Sequence, residues 1–209
     1  MRSDEELLDA WRRGDAQAGN QLFSRHFKTV QRFFLNKTSG EVEDLVQQTF
    51  EACTSGRDRY EGRAPFKVYL LRIARNLLYR HWEARNKRRA EDIDQLSLAD
   101  LGAGPSTALA RDEAHRRLVD ALRQIPLGQQ EILELYYWEE LSGRQLAQVL
   151  GVSENTARSR LRRAKLTLAD ALHRIEDEAR VPWTPDVELE ARARAIQEVG
   201  VLVESAQGS

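Results

Sequence analysis

The sequence predicts an all-α fold made of two helical domains that are joined by a flexible acidic linker. Apolar residues recur at helical spacing along most of the 209 residues, and no stretch alternates in the way that a half-buried strand does. The pattern is interrupted over residues 90–111, an acidic stretch with two glycines and a proline close together and room for one short helical turn. We therefore assign residues 1–89 to a first domain, 90–111 to the linker, 112–175 to a second domain and 176–209 to an acidic C-terminal extension.

Four helices are expected in the first domain. Ser3 and Glu6 have the spacing of a capping box for the first helix, and Asp15 can cap the second. A break at residues 38–40 precedes the third helix, and a polar loop at residues 56–65 precedes the fourth. The apolar residues that mark the second helix are Leu22, Phe23, Phe27, Val30, Phe33 and Phe34, and those of the fourth are Phe66, Tyr69, Leu70, Ile73, Leu77 and His81.

The second domain ends in a sequence typical of a helix-turn-helix. Ala147 is small where two helices cross, Gly151 suits a tight left-handed turn, and Ser153 can cap the helix that follows. The apolar stripe of that helix defines its buried side. Short polar side chains and arginines on the other side are suited to base edges and phosphates of duplex DNA. The residues expected on this DNA-facing side are Asn155, Thr156, Arg158, Ser159, Arg162 and Arg163.

Charge is segregated along the chain, although the net charge is only −1. Basic residues outnumber acidic ones by 11 to 3 over residues 57–89 and by 6 to 1 over residues 141–168. Two basic blocks between acidic stretches indicate two surfaces for a polyanion. Charge runs are also common on helix faces that only meet solvent, so this signal is weak by itself.

Other features argue against an enzyme, a metalloprotein or a membrane protein. Cys53 is the single cysteine, it lies on an apolar helix face, and it is expected to fill the core of a protein in the reducing cytoplasm. Residues 1–10 are polar and acidic, unlike a signal peptide, and no apolar run is long enough to span a membrane. We find no glycine-rich phosphate loop, nucleophile–base pair or metal-ligand spacing, and so expect no catalytic residue, no cofactor and no bound metal.

Two segments of the first domain resemble the sigma-70 family, specifically its extracytoplasmic-function (ECF) group. The first reads Glu-Asp-Leu-Val-Gln-Gln-Thr-Phe at residues 43–50, and the second is the fourth helix at residues 66–82. Together with the helix-turn-helix they match the two domains, 2 and 4, that this group retains. In the family the first segment binds the clamp helices of the largest RNA polymerase subunit, although Gln48 stands where most relatives have an acid. The resemblance implies that core polymerase contacts Asp44, Leu45, Gln47, Gln48 and Glu51.

The resemblance also implies that the loop before the fourth helix captures a flipped base of the −10 promoter element. Tyr60 is a candidate stacking surface for that base, and a half-buried packing residue is an equally good interpretation. Arg72 and Ile73 replace two tryptophans that melt DNA in housekeeping relatives. The residues implied in −10 recognition are Arg59, Tyr60, Arg63, Lys67, Asn76, Arg80, Arg85, Lys87 and Arg88.

The sequence therefore predicts a non-catalytic alternative sigma factor that binds core RNA polymerase and recognises −10 and −35 promoter elements. The expected partners are the clamp helices, the flap of the second polymerase subunit and promoter DNA, with an anti-sigma factor as a further candidate. Two alternatives stay open: a free-standing helix-turn-helix regulator, and a sigma mimic that only binds an anti-sigma factor. The extension at 176–209 is either a simple appendage or an acidic restraint on a DNA-binding face.

Overall fold

The structure, a computed structural model, describes residues 2–35, 37–38, 40–86, 92–102 and 113–178. Within these ranges the regular secondary structure is helical, and one isolated bridge joins Ser97 to Pro126. This confirms the predicted all-α class. None of the helices in the described ranges combines the length and apolar character needed to cross a bilayer.

The first domain contains the four predicted helices, α1 (Asp4–Arg12), α2 (Ala16–Leu35), α3 (Val42–Gly56) and α4 (Phe66–Arg85). The capping box forms as predicted, because the Ser3 hydroxyl accepts from the amide of Glu6 while the Glu6 carboxylate accepts from the amide of Ser3. Asp15 accepts from the amide of Ala18 at 3.0 Å, as expected for a residue that caps α2. α2 packs against the other three helices, so its apolar side forms the centre of this domain.

One residue on α2 differs from the prediction. Phe27 was assigned to the apolar stripe, yet it is 44% exposed, and His26 is buried in its place. The His26 ring satisfies its polarity inside the domain, since its Nε2 lies 2.7 Å from the Asp4 carboxylate and the ring packs on Phe66. Burial lowers the pKa of His26, and the Asp4 carboxylate opposes that shift.

The second domain contains α5 (Glu113–Gln124), α6 (Leu127–Tyr137), α7 (Gly143–Leu150) and α8 (Glu154–Glu178). α8 contacts each of the other three helices, and Ala157, Ala164 and Ala171 are completely buried along it. Small side chains on α8 therefore allow its neighbours to approach closely. The C-terminal extension beyond α8, residues 179–209, lies outside the described residues.

The described part of the predicted linker is packed on the second domain. Residues 92–102 contain the expected short turn, a 3₁₀ helix at Ile93–Gln95, and Leu98 within them is completely buried. The amide of Leu127 donates to the Leu96 carbonyl at 2.8 Å and so joins this segment to the start of α6. Regularly spaced leucines in an acidic stretch explain why this part is not a free tether. Residues 103–112 lie outside the described residues.

α4 is buried on two sides, which the sequence pattern did not show. The prediction placed Ile73 and Leu77 on its apolar side, but these are only half-buried, whereas Leu71, Ala74 and Leu78 are completely buried. The physical reason is that α4 packs on α2 and α3 and also meets α7 of the second domain. The two domains therefore lie in direct contact.

The packing of the linker can be tested with Leu98→Ala. Removing this fully buried side chain should lower the free energy of unfolding by about 2–4 kcal/mol, because it leaves a cavity between the linker and the second domain. Leu166→Ala is the matched control, since Leu166 is 60% exposed and its loss should change stability by less than about 0.5 kcal/mol. Chemical denaturation followed by circular dichroism measures both, and equal effects would contradict the packed linker.

Candidate functional site

The outward face of α3 is polar and open to solvent. Asp44, Gln47, Gln48 and Glu51 are exposed, and the Gln47 amide donates to the Glu51 carboxylate at 2.8 Å. Leu45, by contrast, is 4% exposed and packs in the core, so its side chain is not available to a partner. Of the five residues that the resemblance implies in polymerase binding, the four polar ones are therefore accessible. Beside this face, Phe27 stacks on Phe50 with ring centroids 6.2 Å apart.

The loop before α4, the first turns of α4 and Gln148 of α7 line an open cavity of about 280 Å³. Tyr60 stacks on Tyr69 with centroids 4.5 Å apart, and its hydroxyl donates to the Ala64 carbonyl. Burial raises the pKa of Tyr60 to about 12, so the phenol remains a hydrogen-bond donor. Tyr60 is thus half-buried and packed on Tyr69 while it also lines the cavity. Residues that line the cavity include Arg59, Tyr60, Arg63, Val68, Arg72 and Gln148.

The exposed face of α4 carries a row of polar and basic side chains. Arg72, Asn76 and Arg80 are exposed at positions one helical turn apart, and so they point the same way. Arg85, also exposed, forms an ion pair with Glu41. Lys87 and Arg88 lie outside the described residues. The sequence analysis names Arg72 as a departure from the family but does not include it among the −10 residues. Its position one helical turn before Asn76 could have identified it.

Lys67 pairs with the second domain and does not join the exposed row formed by Arg72, Asn76 and Arg80. Its ammonium group is 2.7 Å from Glu139 Oε2 and donates to the Glu139 carbonyl at 2.9 Å. Lys67 is thus turned toward the second domain. Of the residues implied in −10 recognition, the structure places Arg59, Arg63, Asn76, Arg80 and Arg85 at the surface.

The helix-turn-helix has the local structure that the sequence predicted. Gly151 is left-handed at φ +68°, and the Ser153 hydroxyl accepts from the amide of Thr156 at 3.1 Å. Ala147 is 7% exposed at the crossing of α7 and α8. Thr156 is half-buried and its hydroxyl lies 2.8 Å from that of Ser153. The remaining predicted side chains are all exposed on α8: Asn155, Arg158, Ser159, Arg162 and Arg163.

Three glutamates of the second domain are buried where it meets the first. Glu131 is 0%, Glu134 4% and Glu139 7% exposed. Lys37 is also completely buried; it pairs with Glu134 and donates to the Phe33 carbonyl at 2.8 Å. These residues were missed by the sequence analysis. The sequence indicates their burial only weakly, because a glutamate within a helix usually lies on the solvent side.

The other two glutamates also meet cations of the first domain. Arg32 lies 2.6 Å from the Glu139 carboxylate, and Arg75 Nε lies 3.1 Å from both oxygens of Glu131. Burial raises the pKa of Glu131 above that of an ordinary carboxyl group, and the nearby Arg75 opposes the shift. Burial likewise raises the pKa of Glu134 against the opposing charge of Lys37.

A linker residue joins the same network. Asp94 accepts from the Tyr79 hydroxyl at 2.7 Å and lies 3.6 Å from Arg75 and 3.6 Å from Arg160 of α8. Tyr79 also donates to Glu131 at 3.1 Å. Asp94 therefore connects the first domain, the linker and the recognition helix of the second domain.

The single cysteine has the properties of a core residue. Cys53 is fully buried, as predicted for a core residue, and burial raises the pKa of its thiol to about 12. It is therefore protonated at neutral pH and a poor nucleophile. In the parts of the chain that the structure describes, no three histidine, cysteine or acidic side chains are grouped so that they could hold a metal ion.

Comparison with known families agrees with this geometry. A sequence profile described as Sigma-70 region 2 matches residues 22–88, which include α3, the loop and α4. A second profile, described as Sigma-70, region 4, matches residues 115–168, which include the helix-turn-helix. The two matches thus cover the two basic surfaces and the polar face of α3.

Individual relatives support the same assignment. The chain is 32% identical over 174 residues to the ECF RNA polymerase sigma factor SigM of Mycobacterium tuberculosis, covering 82% of this chain and 85% of SigM. It is 29% identical over 172 residues to the ECF RNA polymerase sigma factor BldN of Streptomyces coelicolor, covering 80% of this chain but 65% of BldN.

The fold is also that of a solved structure, CnrH in complex with the cytosolic domain of CnrY. That similarity has a TM-score of 0.59 at 24% identity and covers 82% of this chain and 98% of CnrH. With both regions present and a relative at this level of identity, the chain belongs to the ECF group of the sigma-70 family of RNA polymerase sigma factors, non-catalytic subunits that select promoters.

Proposed function

We propose that this chain binds core RNA polymerase through the polar face of α3 and directs initiation at promoters read by both basic surfaces. The observation that supports this most is the presence of three separate exposed faces on one family member. These are the polar face of α3, the basic row on α4 and the arginine-rich face of α8. Mixed with bacterial core polymerase, the chain should co-elute with it and confer initiation at specific sites; DNA binding without core binding would favour a free-standing regulator.

The surface of α4 and its preceding loop suits the −10 element as single-stranded DNA. Arg59, Arg63 and Arg72 surround a small cavity with positive charge, and two tyrosines form an aromatic wall beside it. A flipped base costs a few kcal/mol to extrude, and stacking together with contacts to its edge offsets that cost. Asn76 and Arg80 continue the basic surface along the helix toward the duplex.

The exposed face of α8 suits the −35 element as duplex DNA. Arg158 and Arg162 are one helical turn apart near the start of α8, and both are exposed. Arginine reads guanine edges bidentately, and neighbouring arginines such as Arg163 contact phosphates. Arg158 is held by Glu154 at 2.9 Å in the absence of DNA, so binding must exchange that ion pair for a contact with DNA.

The proposed partners on the polymerase are the clamp helices of the largest subunit for α3 and the flap of the second subunit for the second domain. The proposed site of action is the cytoplasm, where transcription takes place. An anti-sigma factor is a further candidate partner. The solved structure of CnrH contains the cytosolic domain of CnrY, but at this identity CnrH informs only the fold of the present chain.

The role of α3 can be tested with Asp44→Arg. The substitution reverses the charge of an exposed side chain on the proposed interface and should weaken core binding at least about tenfold, which corresponds to about 1.4 kcal/mol. Asp9→Arg is the matched control, because Asp9 is equally charged and exposed but lies on α1, away from both proposed polymerase contacts. Fluorescence titration of labelled protein with core polymerase gives both affinities. Unchanged affinity for the Asp44 variant would remove α3 from the interface.

The role of α8 can be tested with Arg162→Ala in the holoenzyme. Loss of a bidentate base contact should weaken promoter binding by about 1–3 kcal/mol and reduce discrimination at one base pair. Arg174→Ala serves as the control, since Arg174 is exposed on the same helix three turns further on. Footprinting across a salt series separates base from phosphate contacts, because only loss of a phosphate contact lowers the salt slope. Undiminished upstream protection would mean that the recognition face is wrongly assigned.

A further inference from the structure

The loop that carries Tyr60 is held from outside by a residue of α1. This cavity loop, residues 57–65, joins α3 to α4 and begins with a 3₁₀ turn at Arg57–Arg59. Arg12, the last residue of α1, reaches across to it. The Nε and Nη2 atoms of Arg12 donate to the Arg57 carbonyl at 3.2 and 3.0 Å, and Nη2 also donates to the Tyr60 carbonyl. One guanidinium group thus spans the turn.

The chemistry of this contact requires an arginine. Cations are favoured where a helix ends, because its last carbonyl groups carry partial negative charge. The planar fork of a guanidinium can bond two carbonyl groups at once in a fixed geometry, whereas the ammonium group of a lysine is a single point charge on a flexible stem. The Arg12 side chain is only 28% exposed, so water competes weakly for these bonds.

A second set of contacts joins α1 to the same turn. The Arg57 guanidinium lies 5.3 Å from the centroid of the Trp11 ring, and the Arg12 guanidinium lies 5.9 Å from that of the Tyr60 ring. Trp11 is itself buried in the core of the first domain. The start of the cavity loop is therefore attached to a rigid part of the domain that is more than 40 residues away in the chain.

Tyr60 is fixed at both its ring and its backbone. Its hydroxyl donates to the Ala64 carbonyl, and its ring stacks on Tyr69 and meets Phe66 edge-on at 6.0 Å. The bond from Arg12 holds the carbonyl group of the same residue. Because Tyr60 lines the cavity, these contacts set the position of the aromatic wall before any ligand arrives.

Order in this loop has a consequence for binding. A loop that is already ordered binds more tightly than one that must become ordered on binding, because its conformational entropy is lost in advance. Stacking also requires the aromatic surface to be held in place to within a fraction of an ångström. Arg12 is not among the residues that line the cavity, so it can act on a ligand there only through the loop.

We propose that Arg12 is a positioning residue for −10 recognition, because by bridging the Arg57 and Tyr60 carbonyls it holds Tyr60 in the cavity wall for the flipped base. The inference rests on the proposed function, since a flipped base of the −10 element is the ligand proposed for this cavity. Selectivity for the −10 element then depends on a residue of α1 that does not touch DNA.

The test compares Arg12→Lys and Arg12→Gln with Arg13→Lys and Arg13→Gln in the full chain. Arg13 is the next residue and is exposed, so the controls carry the same changes of charge and size. Each protein is assembled with core polymerase and transcribes a library of random-sequence promoter templates. Sequencing of the transcripts gives the base preference at the −10 and −35 elements separately. Hydrogen–deuterium exchange of the free chain reports the order of residues 57–65 and confirms that the rest of the domain is folded.

Both Arg12 variants should lose at least about tenfold in preference for the favoured −10 base, with preference at the −35 element unchanged from the Arg13 controls. The amides of residues 57–65 should exchange at least about tenfold faster than in those controls, because the loop opens more often. The loss in Arg12→Lys is the decisive result. That variant keeps the positive charge, so its defect cannot come from weaker attraction of DNA.

Unchanged −10 preference in the Arg12 variants would overturn the proposal. An equal fall in transcription of all templates with the preference intact would overturn it too, since that result indicates only a loss of folded protein. Lost preference without faster exchange of the loop would mean that Arg12 contacts DNA itself, again contrary to the proposal. If the wild-type chain selects no sequence with core polymerase, the proposed function is contradicted, and the positioning role falls with it.

Discussion

Burial of charge is the constraint on which the arrangement of this molecule depends. Glu131, Glu134 and Glu139 are almost completely removed from water, and each would be costly there without a cation nearby. The required cations all come from the first domain. The second domain can therefore bury this side of α6 only while the first domain lies against it. The position of the two domains and the coverage of one side of α4 follow from this pairing.

This constraint connects stability with function through α4. The helix supplies Arg75 and Tyr79 to the contact with the second domain, while Arg72, Asn76 and Arg80 on its exposed face form the proposed −10 surface. One helix thus takes part in the domain contact and in the proposed −10 surface through different faces.

Features that depend on neighbouring residues could be predicted from the sequence. The capping box at Ser3, the left-handed Gly151 and the outward side of α8 follow from local hydrogen bonding and from 100° per residue along a helix. Features that depend on distant partners could not. Lys37 and Glu134 are 97 residues apart, and only the folded chain reveals that each neutralises the other. Likewise, His26 rather than Phe27 is buried because Asp4 of another helix satisfies its ring.

The central claim is that the buried ion pairs hold the two domains together. It can be tested directly by Förster transfer between dyes at Asn20→Cys on α2 and Asp170→Cys on α8, two exposed positions, because the native Cys53 is fully buried and unreactive. The account predicts high transfer in this protein and a large fall when Arg32→Glu is added, because an anion then faces Glu139. High transfer that persists in the Arg32→Glu variant would contradict it.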